Sequence, residues 1–354
     1  MNFMHEDDDL QVSEEDLQKI RMDIDEFWQE YRELAWEQHQ KRPPQNEGIK
    51  LEITITEEHE LYAYRKITKF KEIYSLKLDV AHDFQRQRGG VTDEELAKIS
   101  ALCNLQCLYV HNMPVTGEFL KDFVSLKKLH KLEFQNCPIG DSFFDYIHII
   151  SPLDNLTLYI CEEDGFHSPK LDNLLKCENL KYLSLTYSNY SDDFIARLPS
   201  HPTTTSLNLE GNKLTGKKLG FLRNMSTLGC LYLASNEIDD EGVKHLTNSI
   251  PPNLGDLDIG GNQITDAALP IIAENRSIRM LSLKHNSNIS DKGIQALSKM
   301  QQLRQIFLDN TQVTLEGAKK LQQSLRKCYI ELGNIEGIGK DITLDPLEYP
   351  EDYD

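Results

Sequence analysis

The sequence predicts an α/β solenoid, a curved horseshoe with a parallel sheet lining its concave side and helices on its convex side. Three observations carry that expectation. Nine copies of one pattern recur: two apolar residues one apart, an amide or small residue, then another apolar residue. Their first residues are Leu108, Leu132, Leu156, Leu183, Leu207, Leu231, Leu257, Leu281 and Ile306. The steps between them are 24, 24, 27, 24, 24, 26, 24 and 25 residues, a period that belongs to stacked coils. Within each copy, alternation with period two gives way to apolar spacing of three to four, so each coil supplies one strand and one helical return.

The elements follow in order. Residues 1–12 read as an acidic flexible N-terminus, and 13–47 as a helix that caps the first coil. Ser13 precedes acidic first-turn residues, Leu17, Ile20, Ile24, Phe27, Trp28, Tyr31 and Leu34 form one apolar stripe, and Pro43-Pro44 stops it. The repeats fill 48–332, about 11–12 coils. Leu51-Glu52-Ile53-Thr54-Ile55 and Leu76-Lys77-Leu78 are outlying strands, and a loop at His82–Gly90 absorbs the longer step to Leu108. Ile330-Glu331-Leu332 is expected to close the sheet. Residues 333–354 read as an acidic tail, extended or disordered, with six carboxylates and no basic residue from Asp341 onward.

Inside one coil, Leu231 and Leu233 alternate with Tyr232 and Ala234 as a half-buried strand does. The chain must then turn, and a buried amide there can bond the open backbone of its own loop and of the adjacent coil, making a ladder. Asn212, Asn236, Asn262 and Asn286 hold that position, and Cys137 and Cys161 take it earlier. Met113, Ser188 and Thr311 depart from it, with Asn112 and Asn310 one residue earlier as candidate substitutes. Ser290 and Asp266 fit helix N-caps. On these residues the chain resembles the leucine-rich repeat family in its ribonuclease-inhibitor-like or bacterial Thr-Asp-x-Gly style. The resemblance spans roughly residues 70–332 and is closest in 207–321. It implies a horseshoe whose concave face binds another protein, and its bacterial style suggests an effector or an effector's inhibitor.

Composition narrows the function. Fifty-seven acidic against 38 basic side chains give a net charge of −19, without the basic stripe that nucleic acid or an anionic membrane requires. No run of 18 apolar residues suggests a membrane span, and the acidic N-terminus does not read as a secretory signal. Seven scattered cysteines read as small buried hydrophobes in a reducing cytosol, whether of the producing cell or of a host cell. No phosphate loop, zinc spacing or nucleophile pair stands out, so no cofactor, no metal and no enzymatic activity are expected. A C-x-D ligase cysteine and an F-box are absent too. The alternative reading is an adapter that recruits an enzyme, such as ubiquitin ligase machinery, through its N-terminal helix.

Side chains alternating with the buried leucines project from the concave sheet. The candidate contact residues are Tyr109, His111, Glu133, Tyr159, Tyr182, Tyr187, Glu210, Tyr232, Asp256, Asp258, His285, Phe307 and Asp309. Aromatic side chains bury large area at low entropic cost, which suits interface anchors. The carboxylates among them predict a partner with a basic surface, and the free chain is expected to be a monomer.

Overall fold

The computed structural model describes residues 49–55, 67–69, 71–81, 91–161, 170–334 and 341–347. The expected N-terminal helix and its cap, the His82–Gly90 loop and the last residues of the tail lie outside them.

Among the described residues, thirteen strands form one open sheet in chain order. They are β1 (Ile49–Ile55), β2 (Ile73–Val80), β3 (Cys107–His111), β4 (Lys131–Gln135), β5 (Asn155–Tyr159), β6 (Tyr182–Thr186) and β7 (Ser206–Asn208). After them come β8 (Cys230–Tyr232), β9 (Asp256–Asp258), β10 (Met280–Ser282), β11 (Gln305–Phe307), β12 (Tyr329–Asn334) and β13 (Asp341–Leu344). The first twelve pair parallel, and every repeat marker stands beside the next: Leu108 by Leu132, Leu183 by Leu207, Leu281 by Ile306. The sheet does not close at Ile330–Leu332. Part of the expected tail turns back, and β13 pairs antiparallel with β12.

The returns on the opposite side carry short helices: α1 (Asp93–Ala97), α2 (Asp141–Tyr146), α3 (Asp192–Ile195), α4 (Asp240–Thr247), α5 (Leu269–Ile272), α6 (Asp291–Ile294) and α7 (Leu315–Ser324). Other returns use 3₁₀ turns, such as Glu118–Ser125 and Gly220–Asn224. Between sheet and returns runs one apolar core from Leu51 to Leu332, in which each coil buries its leucines only against its neighbours. Where Phe134 replaces the usual aliphatic residue, the core fills with rings; Phe134 meets Phe143 edge-on at 5.4 Å and Phe119 at 5.9 Å.

The amide ladder is present. Asn286 donates to Ile259 O and Leu283 O, both at 3.0 Å, and its Oδ1 accepts from Asn262 N at 3.2 Å and Ile264 N at 3.1 Å. Asn212, Asn236 and Asn262 repeat the arrangement one coil apart. Cys137 and Cys161 occupy the same place with thiols directed at backbone carbonyls. Asn112 and Asn310 do not substitute in the ladder. Asn112 bonds the Asp79 carboxylate at 2.8 Å, and Asn310 lies 3.2 Å from His285 Nδ1, both along the rim.

A second ladder runs along the convex side. The first-turn aspartate of one return bonds the backbone N–H and the hydroxyl of the Ser or Thr that opens the next return. Asp291 holds Thr314 through both at 2.7 Å, Asp266 holds Ser290 at 2.7 and 2.6 Å, and Asp240 holds Thr265 at 2.8 and 2.7 Å. Asp93 and Asp192 do the same for Thr116 and Thr215. Ser290 caps α6 as expected, but Asp266 caps no helix; it locks coil to coil. The glycine of Thr-Asp-x-Gly now has a cause: a Cβ on Gly293 or Gly317 would occupy the space of the Asp266 or Asp291 carboxylate.

Candidate protein-binding face

The register sorts the concave side chains into rows that cross the sheet. The row that follows the marker leucine reads Tyr109, Glu133, Thr157, Ser184, Asn208, Tyr232, Asp258, Ser282 and Phe307. The row before the marker holds Lys131, Asn155, Tyr182, Ser206, Cys230 and Asp256. His111, Gln135, Tyr159 and Thr186 form a third row, which Glu210, Lys284 and Asp309 continue beyond the strand ends. Tyr187 and His285 stand outside the strands, in the left-handed turn that follows each, with φ of 51° and 58°.

The face divides into three zones by charge. In β1–β4, Glu52, Asp79 and Glu133 are set against Lys50, Lys77 and Lys131. His111 Nε2 lies 3.4 Å from Glu133 Oε1, and this neighbour together with Lys131 holds the Glu133 carboxyl below the usual carboxylate range. His111 is only 8% exposed, so it supports Glu133 from beneath rather than offering a contact surface. Lys131 Nζ also sits 4.9 Å from the centre of the Tyr109 ring.

The middle zone, β5–β9, is different. Its rows carry Glu210, Asp256 and Asp258 and no lysine, arginine or histidine. Among the described residues none of these three carboxylates has an ion-pair partner; Asp258 accepts from Gly260 N at 2.9 Å and Asp256 from the Cys230 thiol at 3.4 Å. The tyrosines gather here as well. The Tyr159 and Tyr187 rings lie 5.3 Å apart, and the Tyr187 hydroxyl donates to Glu210 Oε1 at 2.7 Å, which pushes its own ionisation up to about 12. Tyr182 and Tyr159 flank a depression of about 480 Å³ that takes in Thr157 and Asn155 and extends onto Lys131, Glu133 and Gln135 of β4. Tyr232, ionising at about 12 chiefly through burial, borders a second of about 320 Å³ with Asp256, Asp258, Phe307 and Lys284, whose ammonium is engaged by Asp309 and Glu331.

In the last zone, Lys284 Nζ reaches Asp309 at 3.0 Å and Glu331 at 2.7 Å and lies 4.9 Å from the Phe307 ring centre. Asp309 is therefore already compensated. Sequence alternation located the rows, but it could not tell compensated carboxylates from free ones.

The thiols are mostly core. Burial pushes Cys161, Cys177 and Cys328 up to about 12, and Cys137 higher still. Cys103 departs from the expectation and is exposed.

Parallel strands, an asparagine turn and a helical return, repeated in register, are the architecture of a leucine-rich repeat solenoid. The leucine rich repeat family matches the chain over residues 224–246 and 274–298. Podocan of Mus musculus is 30% identical over 144 residues, which cover 39% of this chain and 23% of podocan. The chain thus spans less than a quarter of that relative's length. Among solved structures, an internalin (inlF) of Listeria monocytogenes is similar at 19% identity and a TM-score of 0.43, over 75% of this chain and 81% of that one. The plant peptide hormone receptor RGFR1, solved in complex with RGF2, is similar at 16% identity and 0.45, over 76% and 41%.

Proposed function

We propose that the protein is a non-catalytic binding module that holds a basic segment of another protein on the middle of its concave face. The observation that carries this reading is the coincidence, in β5–β9, of clustered tyrosines with three carboxylates that lack cationic partners. Like charges grouped on one face without cationic partners favour a complementary partner. Thiols that ionise at about 12 stay protonated at neutral pH and make poor nucleophiles, which supports a binding rather than a catalytic role. Seven free cysteines support a reducing compartment, the cytoplasm of the producing cell or of a host into which an effector is delivered.

The test is the combined change Tyr159→Ala, Tyr182→Ala and Tyr232→Ala in the full chain. The expected result is loss of partner capture, while Lys244→Ala on α4 leaves it intact. Unchanged capture by the triple variant would refute the concave site. Deleting residues 1–47 separates the adapter reading: a docking helix would be lost without loss of fold, whereas a cap would take stability with it.

A further inference from the structure

The left-handed turn position that follows each strand is a natural control for one anomaly. In successive coils it holds Asn112, Asn136, Ile160, Tyr187, Gly211, Ser235, Gly261, His285 and Asn310, all at φ between 51° and 69°. Asn and Gly adopt this conformation readily; a β-branched residue does so only with strain. Ile160 is the β-branched one, with φ of 52°, and its side chain is 40% exposed. Its neighbour in the next coil, Tyr187, is 42% exposed. Tyr187 is rewarded by its packing on Tyr159 and its bond to Glu210. Ile160, among the described residues, is no part of the buried core that would repay its strain. Strain of this kind persists where function retains it.

We infer that Ile160, Tyr187 and Tyr159 form an apolar anchor seat on the rim of the concave face, and that a linear segment bound there places a Lys or Arg on Asp256 and Asp258. The inference rests on the reading above and specifies the segment. Tyr187 is held in place by its hydrogen bond to Glu210 and lies across Gly211, where any Cβ would displace the ring. The seat is therefore preorganised, which lowers the entropic cost of binding. Charge selects the other end, because Asp256 and Asp258 lie on the nearest strand that presents two uncompensated carboxylates.

Geometry fixes the spacing. The seat lies at β5–β6 and the acids at β9, three to four strands away, and strands are spaced ~4.8 Å apart. The acid rows are also displaced by about three residues along the strand direction. The diagonal is about 20 Å, which an extended peptide covers in about six residues at ~3.3 Å each. The partner segment thus has an aromatic or branched aliphatic residue about six positions from a basic one.

Selection of random dodecapeptides displayed on phage against the immobilised full chain tests this. The expected enrichment is an apolar residue paired with Lys or Arg five to seven positions away. Binding of a synthesised winner, read by fluorescence anisotropy, should fall at least tenfold with Ile160→Asn, whose new residue suits the turn and leaves the fold intact by circular dichroism. Asp256→Asn with Asp258→Asn should remove the basic preference and flatten the salt dependence. Winners indifferent to these variants yet lost with the tyrosine triple would overturn the anchor seat and keep the concave site. Winners indifferent to all of them, or no enrichment over bare support, would overturn both.

Discussion

Asn286→Ala tests the amide ladder that makes the coils stack in one register. Asn286 is fully buried, and its Oδ1 accepts the backbone N–H groups of Asn262 and Ile264 in the preceding coil. The carbonyls that its Nδ2 serves keep other donors: Ile259 O retains the Asn262 side chain at 3.0 Å, Leu283 O retains Asn286 N at 3.3 Å, and Lys284 O retains Gly261 N at 2.6 Å. The substitution therefore orphans two donors rather than five groups. A buried N–H without a partner costs about 1–3 kcal/mol, and the Asn262 donor is only part-buried, so the loss should be about 3 kcal/mol. With an m-value of about 3 kcal/mol/M, that moves the urea midpoint by about 1 M. Far-UV circular dichroism reads the midpoint, with exposed Asn288→Ala as the control, expected within ~0.5 kcal/mol of the parent. Native-state hydrogen exchange should show the amides of Asn262 and Ile264 opening faster. If Asn286→Ala matched Asn288→Ala in both assays, the ladder would not be what holds the coils.

Two further outcomes follow from the same structure. Gly317→Ala sets a methyl against the Asp291 carboxylate and should cost about 2–4 kcal/mol by breaking its two bonds to Thr314, while Gly220→Ala, with open space around it, should be neutral or slightly stabilising in the same urea titration. His201 is 2% exposed, and burial holds its pKa below the usual value of 6.5, its Nε2 lying 3.0 Å from Leu174 O. The unfolded chain thus takes up the proton first: the contribution is whole above pH 6.5 and is lost as pH falls from there through the folded pKa. The slope over that window stays below the one-proton limit of about 1.4 kcal/mol per pH unit and should be shallower still in His201→Gln.

The solenoid was legible because its cause is periodic. Leu183, Leu207 and Leu231 recur at a constant step and end up side by side, so the sequence interval translates directly into a sheet register. The asparagine ladder was legible for the same reason. Asp266 was not, because an aspartate ahead of a helix serves a cap within its coil or a hydroxyl in the next, and only packing decides between them. β13 was hidden since an antiparallel return falls outside the period and its four residues open a stretch whose later carboxylates read as a tail. On the face itself, alternation placed Glu133 and Asp256 alike. Their difference lies in their surroundings: His111 of the neighbouring coil and Lys131 of its own strand beside Glu133, a neighbouring thiol beside Asp256. The strain at Ile160 lies in its backbone φ, which a residue name does not disclose.

The central claim is that the middle of the concave face, and no other surface, meets the partner. A benzophenone amino acid placed at Asn208 on β7, and separately at Lys244 on α4, measures it directly, because photochemical attachment reports only what lies against the probe. The account predicts a covalent adduct of one protein from position 208, reduced by high salt, and none from 244. Adducts from 244 alone, or equally from both, would contradict it.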